Sequence, residues 1–158
     1  MSTNRRDLTE GFLFTDQYQL TMSQLYWKYG LHDRTAQFDY FFRRYPDYGR
    51  HQAGYAVFAG LEWLLDWIDA TRVREEDLDY LRRQQDYAGR RRFDEGFLSW
   101  LADTDGFGAV SIRSVPEGRI VHGHEPISVV EGPLAVAQIL DTSFLNHLNY
   151  QTLVATKA

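Results

Sequence analysis

The segment Gly11 to Met22, GFLFTDQYQLTM, carries the residue types best suited to chemistry. Thr15 and Asp16 in succession read as a helix start: the hydroxyl can cap free N–H groups of the first turn, and the carboxylate sits favourably against the positive helix end. Tyr18, at the third helical position, would then stand beside a helix N-terminus, where N–H groups and the dipole favour a bound anion. A planar aromatic carboxylate would find a stacking face and a positive end together. Helical periodicity by itself assigns Tyr18 to packing instead, because aromatics at helical spacing usually fill cores. Arg43 closes a strand-like run on its polar face, where its planar donor fork suits phosphate, although a lone strand-end Arg is also an ordinary edge charge.

Five histidines raise the question of a metal. His122 and His124 would share one strand face, yet no third ligand lies nearby, and a tetrahedral site needs one. The expectation is an exposed hairpin with two polar side chains and no metal. His147 falls on or beside an apolar helical stripe and reads as a hydrogen-bonded core histidine. G-x-S-x-G, phosphate-loop and G-x-G-x-x-G patterns are absent, and Gly106-Phe107-Gly108 is too short to replace them.

The elements that must position these residues follow from period and punctuation. Residues 1–12 are polar and read as a loose arm. The helix after Thr15 places Tyr18, Met22, Leu25, Tyr26 and Tyr29 on its apolar face, and Gly30 stops it. Residues 35–44 alternate, with Ala36, Phe38, Tyr40 and Phe42 on the buried side of a strand. A loop spans 45–55, with Pro46, Gly49 and Gly54 as its turn residues. Leu61, Leu64, Leu65 and Ile68 mark the buried stripe of an amphipathic helix, with Glu62, Asp66 and Asp69 outward. Short helices follow around 75–83 and from the cap Asp94 to Leu101. Beyond a glycine hinge at 106–108, three short strands separated by turns at 115–118 and 125–126 form a small β-unit. Gly132 and Pro133 then open a long helix with Val136, Ile139, Leu140, Phe144 and Leu148 on one stripe. Leu153, Val154 and Ala155 run apolar almost to residue 158 without a stop signal, which is the pattern of a chain cut before its domain is complete.

Composition narrows the function classes. The chain has 158 residues, is 44% hydrophobic and has a formal charge of −5, a balance that argues against a nucleic-acid or anionic-membrane surface. Arginine supplies all but Lys28 and Lys157 of the 17 basic residues. With no cysteine there is neither disulfide nor thiolate chemistry, as a reducing cytoplasm permits. No apolar run reaches the ~20 residues of a membrane span, and MSTNRRDLTEG lacks the core of a signal peptide.

From Phe12 onward, LFTDQYQLTMSQLYWKYGLHDRTAQFDYFFRRYP, GYAVFAGLEWLL and VPEGRIVHGHEPISVVEGPLAVAQILDTSFLNHLNYQTLVATKA resemble the N-terminal part of nicotinate phosphoribosyltransferases. The likeness is weakest between 47 and 53 and between 71 and 96. It implies an α+β fold: an N-terminal domain of helices and strands over residues 1–132, with a small β-unit of the barrel-sandwich kind. Residues 133–158 would be the first helix leading into a type II phosphoribosyltransferase α/β barrel that is not in this chain.

The resemblance further implies transfer of phosphoribose from phosphoribosyl pyrophosphate to nicotinate, giving nicotinate mononucleotide and pyrophosphate in NAD salvage. Mg2+ and ATP would be required, with a phosphohistidine outside this chain. Tyr18 would stack on nicotinate in the neighbouring subunit's pocket, making a homodimer part of the active site. Asp16 would line that pocket, and Arg43, within the family's F-F-R, would contact phosphate or pyrophosphate. Asp141 stands where relatives usually carry Glu, and its side chain is one methylene shorter. The segment alone is expected to be inactive. Alternatives are a non-catalytic binding or assembly module, or a relative using nicotinamide or quinolinate.

Overall fold

The computed structural model describes residues 11–45, 49 and 54–158. In chain order its elements are α1 (Gln17–Lys28), β1 (Thr35–Tyr40), β2 (Ala56–Val57), α2 (Leu61–Ala70), α3 (Glu75–Arg82), α4 (Glu95–Ala102), β3 (Ser111–Ser114), β4 (Ile120–Val121), β5 (Ser128–Pro133) and α5 (Leu134–Lys157). The fold is α+β, with helices packed around two small sheets and no closed barrel among the described residues. The polar arm 1–10 and most of the 45–55 loop lie outside the described residues.

The long helix α5 is the spine. Its residues 135–140 are all buried, so the apolar stripe read from the sequence widens in the first turns to the whole circumference, then narrows to Phe144 and Leu148. It packs against α1, α2, β1, β2 and β5. Around it lie Phe12, Phe58, Phe97 and Phe107, each at most 1% exposed. Burying such a side chain stabilises a fold by about 1.5–3 kcal/mol. Phe12 stacks on Phe107 with ring centroids 5.2 Å apart, so this residue, assigned to the arm from the sequence, belongs to the core.

Strand pairing departs from the expected local hairpins. β5 is the centre of a three-stranded antiparallel sheet in the order β1-β5-β3, with Phe38 opposite Val130 and Ile112 opposite the same valine. β4 pairs with β2, more than sixty residues earlier, and not with either chain neighbour. The β-unit is therefore built partly from the helical half of the sequence. β1 alternates as expected but stops at Tyr40, whose hydroxyl donates to Asn149 Oδ1 at 2.8 Å.

α1 is rotated relative to the apolar face read from its sequence. Tyr18, Leu25 and Tyr29 are exposed, while Gln19, Leu20 and Ser23 are buried against α5. Such polar burial is tolerated because each group is paired: Ser23 Oγ donates to the Ala135 carbonyl at 2.9 Å. Gly30 ends the helix as expected, with Leu31 N–H returning to the Tyr26 carbonyl at 2.8 Å and Gly30 N–H to that of Trp27 at 3.0 Å. On α2 only Leu64 is fully buried; Leu65, placed in the core by periodicity, is exposed. α3 and α4 form where caps and period put them. Asp77 Oδ2 accepts the Arg74 N–H at 3.0 Å, and the Asp94 N–H is taken by Gln24 Oε1 of α1 at 2.6 Å.

Candidate functional site

The start of α1 is fastened to the middle of α5 by side chains on both sides. Ser143 Oγ donates to the Phe14 carbonyl, and Thr15 Oγ1 donates to the Ile139 carbonyl at 2.8 Å. Thr142 Oγ1 accepts the Asp16 N–H at 3.2 Å and donates to Asp16 Oδ2 at 3.0 Å. Thr15 is thus no helix cap. The N-cap position belongs to Asp16, and neither side chain bonds the first turn of its own helix. Their capacity is spent on the neighbouring helix, which sets where residues 16–19 point.

What they present is a tyrosine between carboxylates. Tyr18 is 54% exposed, although the helical period placed it on a packing face. Its oxygen accepts a hydrogen bond from Gln19 Nε2 at 3.0 Å, and the same nitrogen donates to Asp141 Oδ2 at 2.6 Å. Partial burial raises the pKa of Asp141; the Gln19 bond opposes that rise and the charge of Asp16 adds to it. The Tyr18 phenol is likewise raised, first by desolvation and then by Asp141 and Asp16, with the Gln19 bond opposing. Asp141 also lines a small cleft beside Phe38, Asp39 and Tyr40 of β1 and Phe144 of α5. Two carboxylates and a phenol held neutral favour a cationic or electron-poor partner over a bare anion.

Of the residues singled out from the sequence, Tyr18, Asp16 and Asp141 come together. Arg43 does not join them. It lies in a bend three residues beyond the end of β1, is exposed, and has no ion pair to these groups among the described residues. His122 and His124 lie beyond the end of β4 and not on a strand; His124 turns at a positive φ of 65°. His122 Nδ1 lies 3.2 Å from the Tyr45 hydroxyl. His147 is half-buried, its Nδ1 2.7 Å from the Ser143 carbonyl and its ring packed on Phe14 and Trp67. No group of three or more His, Asp or Glu side chains among the described residues could hold a metal ion.

Gln19 and Gln138 were not singled out by sequence reasoning. Gln19 is fully buried, and its Oε1 accepts from Gln138 Nε2, whose own Oε1 accepts from the Tyr26 hydroxyl at 3.2 Å. A signal existed for one of them: Gln138 interrupts the apolar run Ala135-Val136-Ala137 and Ile139-Leu140, where a buried amide needs a partner.

Fold and site together define an α+β domain that offers an exposed aromatic ring and two carboxylates beside it. The model of the nicotinate phosphoribosyltransferase N-terminal domain matches residues 13–149. Nicotinate phosphoribosyltransferase of Bacillus subtilis is 43% identical over 146 residues, covering 92% of this chain and 27% of that protein. The Caenorhabditis elegans enzyme of the same name is 38% identical over 146 residues, with 24% of its length covered. The crystal structure of human nicotinic acid phosphoribosyltransferase superimposes with a TM-score of 0.77 at 35% identity, covering 92% of this chain and 27% of that one. The chain belongs to the nicotinate phosphoribosyltransferase family, as its N-terminal domain, and spans about a quarter of the length of these relatives.

Proposed function

We propose that this chain is the N-terminal segment of a nicotinate phosphoribosyltransferase acting in NAD salvage. The complete protein would convert nicotinate and phosphoribosyl pyrophosphate to nicotinate mononucleotide and pyrophosphate, coupled to ATP hydrolysis, within a cytoplasmic homodimer. Tyr18 would lie against the nicotinate bound by the neighbouring subunit, with Asp16 and Asp141 at its side. Arg43 would contact phosphate from a separate position.

The observation that carries this reading is the exposure of Tyr18 at a helical position where packing would be the ordinary use of an aromatic. An open ring face suits a flat pyridine. The adjacent carboxylates suit the positive charge that develops on the ribosyl carbon and on the ring nitrogen of the product. Holding the flat acid in line with the ribosyl centre supplies the orientation such a transfer needs. The family implies magnesium and ATP, and among the described residues no group of three carboxylates or histidines is placed to hold a metal ion.

The test is complementation. Mixing this segment with a separately produced remainder of the protein should restore formation of nicotinate mononucleotide. Tyr18→Ala should weaken nicotinate binding by about 1–3 kcal/mol, the usual loss when an aromatic face is removed from a stacked flat ring. Tyr18→Phe, which keeps the face but gives up the hydrogen bond from Gln19, should lose less. Equal losses for the two variants, or equal affinity for nicotinamide, would defeat the reading; no restoration at all would favour a non-catalytic assembly module.

A further inference from the structure

We propose that Gln19 is the positioning residue of Tyr18, holding its ring in one orientation through a buried relay that begins at Tyr26. The relay has a direction that bonding capacity dictates. The Tyr26 hydroxyl donates to Gln138 Oε1 at 3.2 Å, and Gln138 Nε2 donates to Gln19 Oε1. With its oxygen so occupied, Gln19 has its nitrogen turned the other way. Both of its N–H groups are used, one on the Tyr18 oxygen at 3.0 Å and one on Asp141 Oδ2 at 2.6 Å. A flip of the Gln19 amide would set its oxygen against the Asp141 carboxylate and its nitrogen against the nitrogen of Gln138, so the orientation is locked from both sides.

Two consequences follow for Tyr18. Its ring is anchored at the phenol oxygen, the far end of the side chain, so both χ angles are restrained although the ring is 54% exposed. An exposed tyrosine without such an anchor exchanges rotamers in picoseconds to nanoseconds. Moreover, its oxygen accepts from Gln19, so its own O–H is left to donate outward. Gln19 is 0% exposed and Gln138 8%, so the relay is shielded from the water that would otherwise compete for these bonds. A ring already fixed in place loses less entropy when a ligand stacks on it. That last step rests on the proposed role of Tyr18 at the nicotinate; the restraint on the ring does not.

The two parts are tested separately. In this chain, the side-chain couplings and ring relaxation of Tyr18 measured by nuclear magnetic resonance should report a single rotamer. Gln19→Met, which keeps volume and removes both donors, should give averaged couplings, and so should Tyr18→Phe at the same ring. Tyr18→Phe alters a surface group, so it remains informative if Gln19→Met fails to fold. A ring that stays in one rotamer in Tyr18→Phe would overturn the proposal. In the complete protein, Gln19→Met should raise KM for the aromatic base by roughly 2- to 10-fold, the equivalent of one net neutral hydrogen bond, with kcat little changed. A freed ring with unchanged KM would leave the relay standing and overturn its part in binding; a fall in kcat alone would overturn that part too.

Discussion

Replacing Gly60 by alanine would strike the point where α2 meets α5. Gly60 is the N-cap of α2 and adopts φ 102° and ψ 0°, in the left-handed region. A Cβ there would run into the His147 carbonyl oxygen and lie 2.9 Å from Gln151 Cβ and 3.0 Å from Gln151 Cγ. The left-handed backbone costs an L-residue about 1–2 kcal/mol, and forcing an extra methyl into a filled contact costs about 1–3 kcal/mol more. Together these give a loss of roughly 2–5 kcal/mol. For a chain of this length each kcal/mol moves Tm by about 2–4 °C, so melting should fall by roughly 4–20 °C. Gly89 supplies the control, because it has φ 75° and a Cβ there would meet nothing within 4 Å. Gly89→Ala should therefore show only the backbone part, a fall of roughly 2–8 °C. Thermal melts followed by circular dichroism would decide. Equal falls for the two variants would show that the α2–α5 contact is not tight at Gly60 and would refute the reasoning.

Two further expectations concern pH. Burial pushes the Tyr40 phenol up to about 12, so between its unfolded value near 10 and about 12 the folded chain keeps a proton that the unfolded chain has lost. Stability present below pH 10 should drop by about 2–3 kcal/mol as pH rises through that window, and Tyr40→Phe should abolish the drop in alkaline denaturation curves. Asp141 is raised above its ordinary 3.8, chiefly by desolvation, so its contribution is fullest below 3.8 and is lost as pH climbs past the folded value. Asp141→Asn should remove that slope from urea midpoints measured between pH 3 and 7; an unchanged slope would contradict the burial argument.

Several elements were legible because one residue period governs them. β1 alternates, α3 and α4 start where acidic residues cluster, and α5 carries its stripe from Val136 to Leu148. α1 misled the same reasoning. Tyr18 and Leu25 face outward while a glutamine faces in beside Leu20, since buried amides that satisfy one another substitute for apolar contact. The pairing of β4 with β2 was illegible for a different reason: two-residue strands carry almost no period, and their partner is chosen by packing far along the chain. At the site, Tyr18 and Asp16 announce themselves by type and position. That Asp141 would meet them required knowing that α1 and α5 lie side by side, and Gln19, which bridges Tyr18 and Asp141, has no local signature at all.

Pro133 is at once the last residue of β5 and the N-cap of α5. Strand and helix thus meet without a single intervening loop residue. A helix of 24 residues is a rod of about 36 Å, rooted in the middle strand of a sheet whose two neighbours clamp it. Tilting such a rod by about 5° would swing its far tip by roughly 3 Å. The far end is held as well, because Thr156 Oγ1 accepts the Val57 N–H at 2.9 Å and Thr152 Oγ1 that of Ala59 at 3.2 Å, so a displacement of the rod is shared between the strand ladder at its root and β2 at its tip.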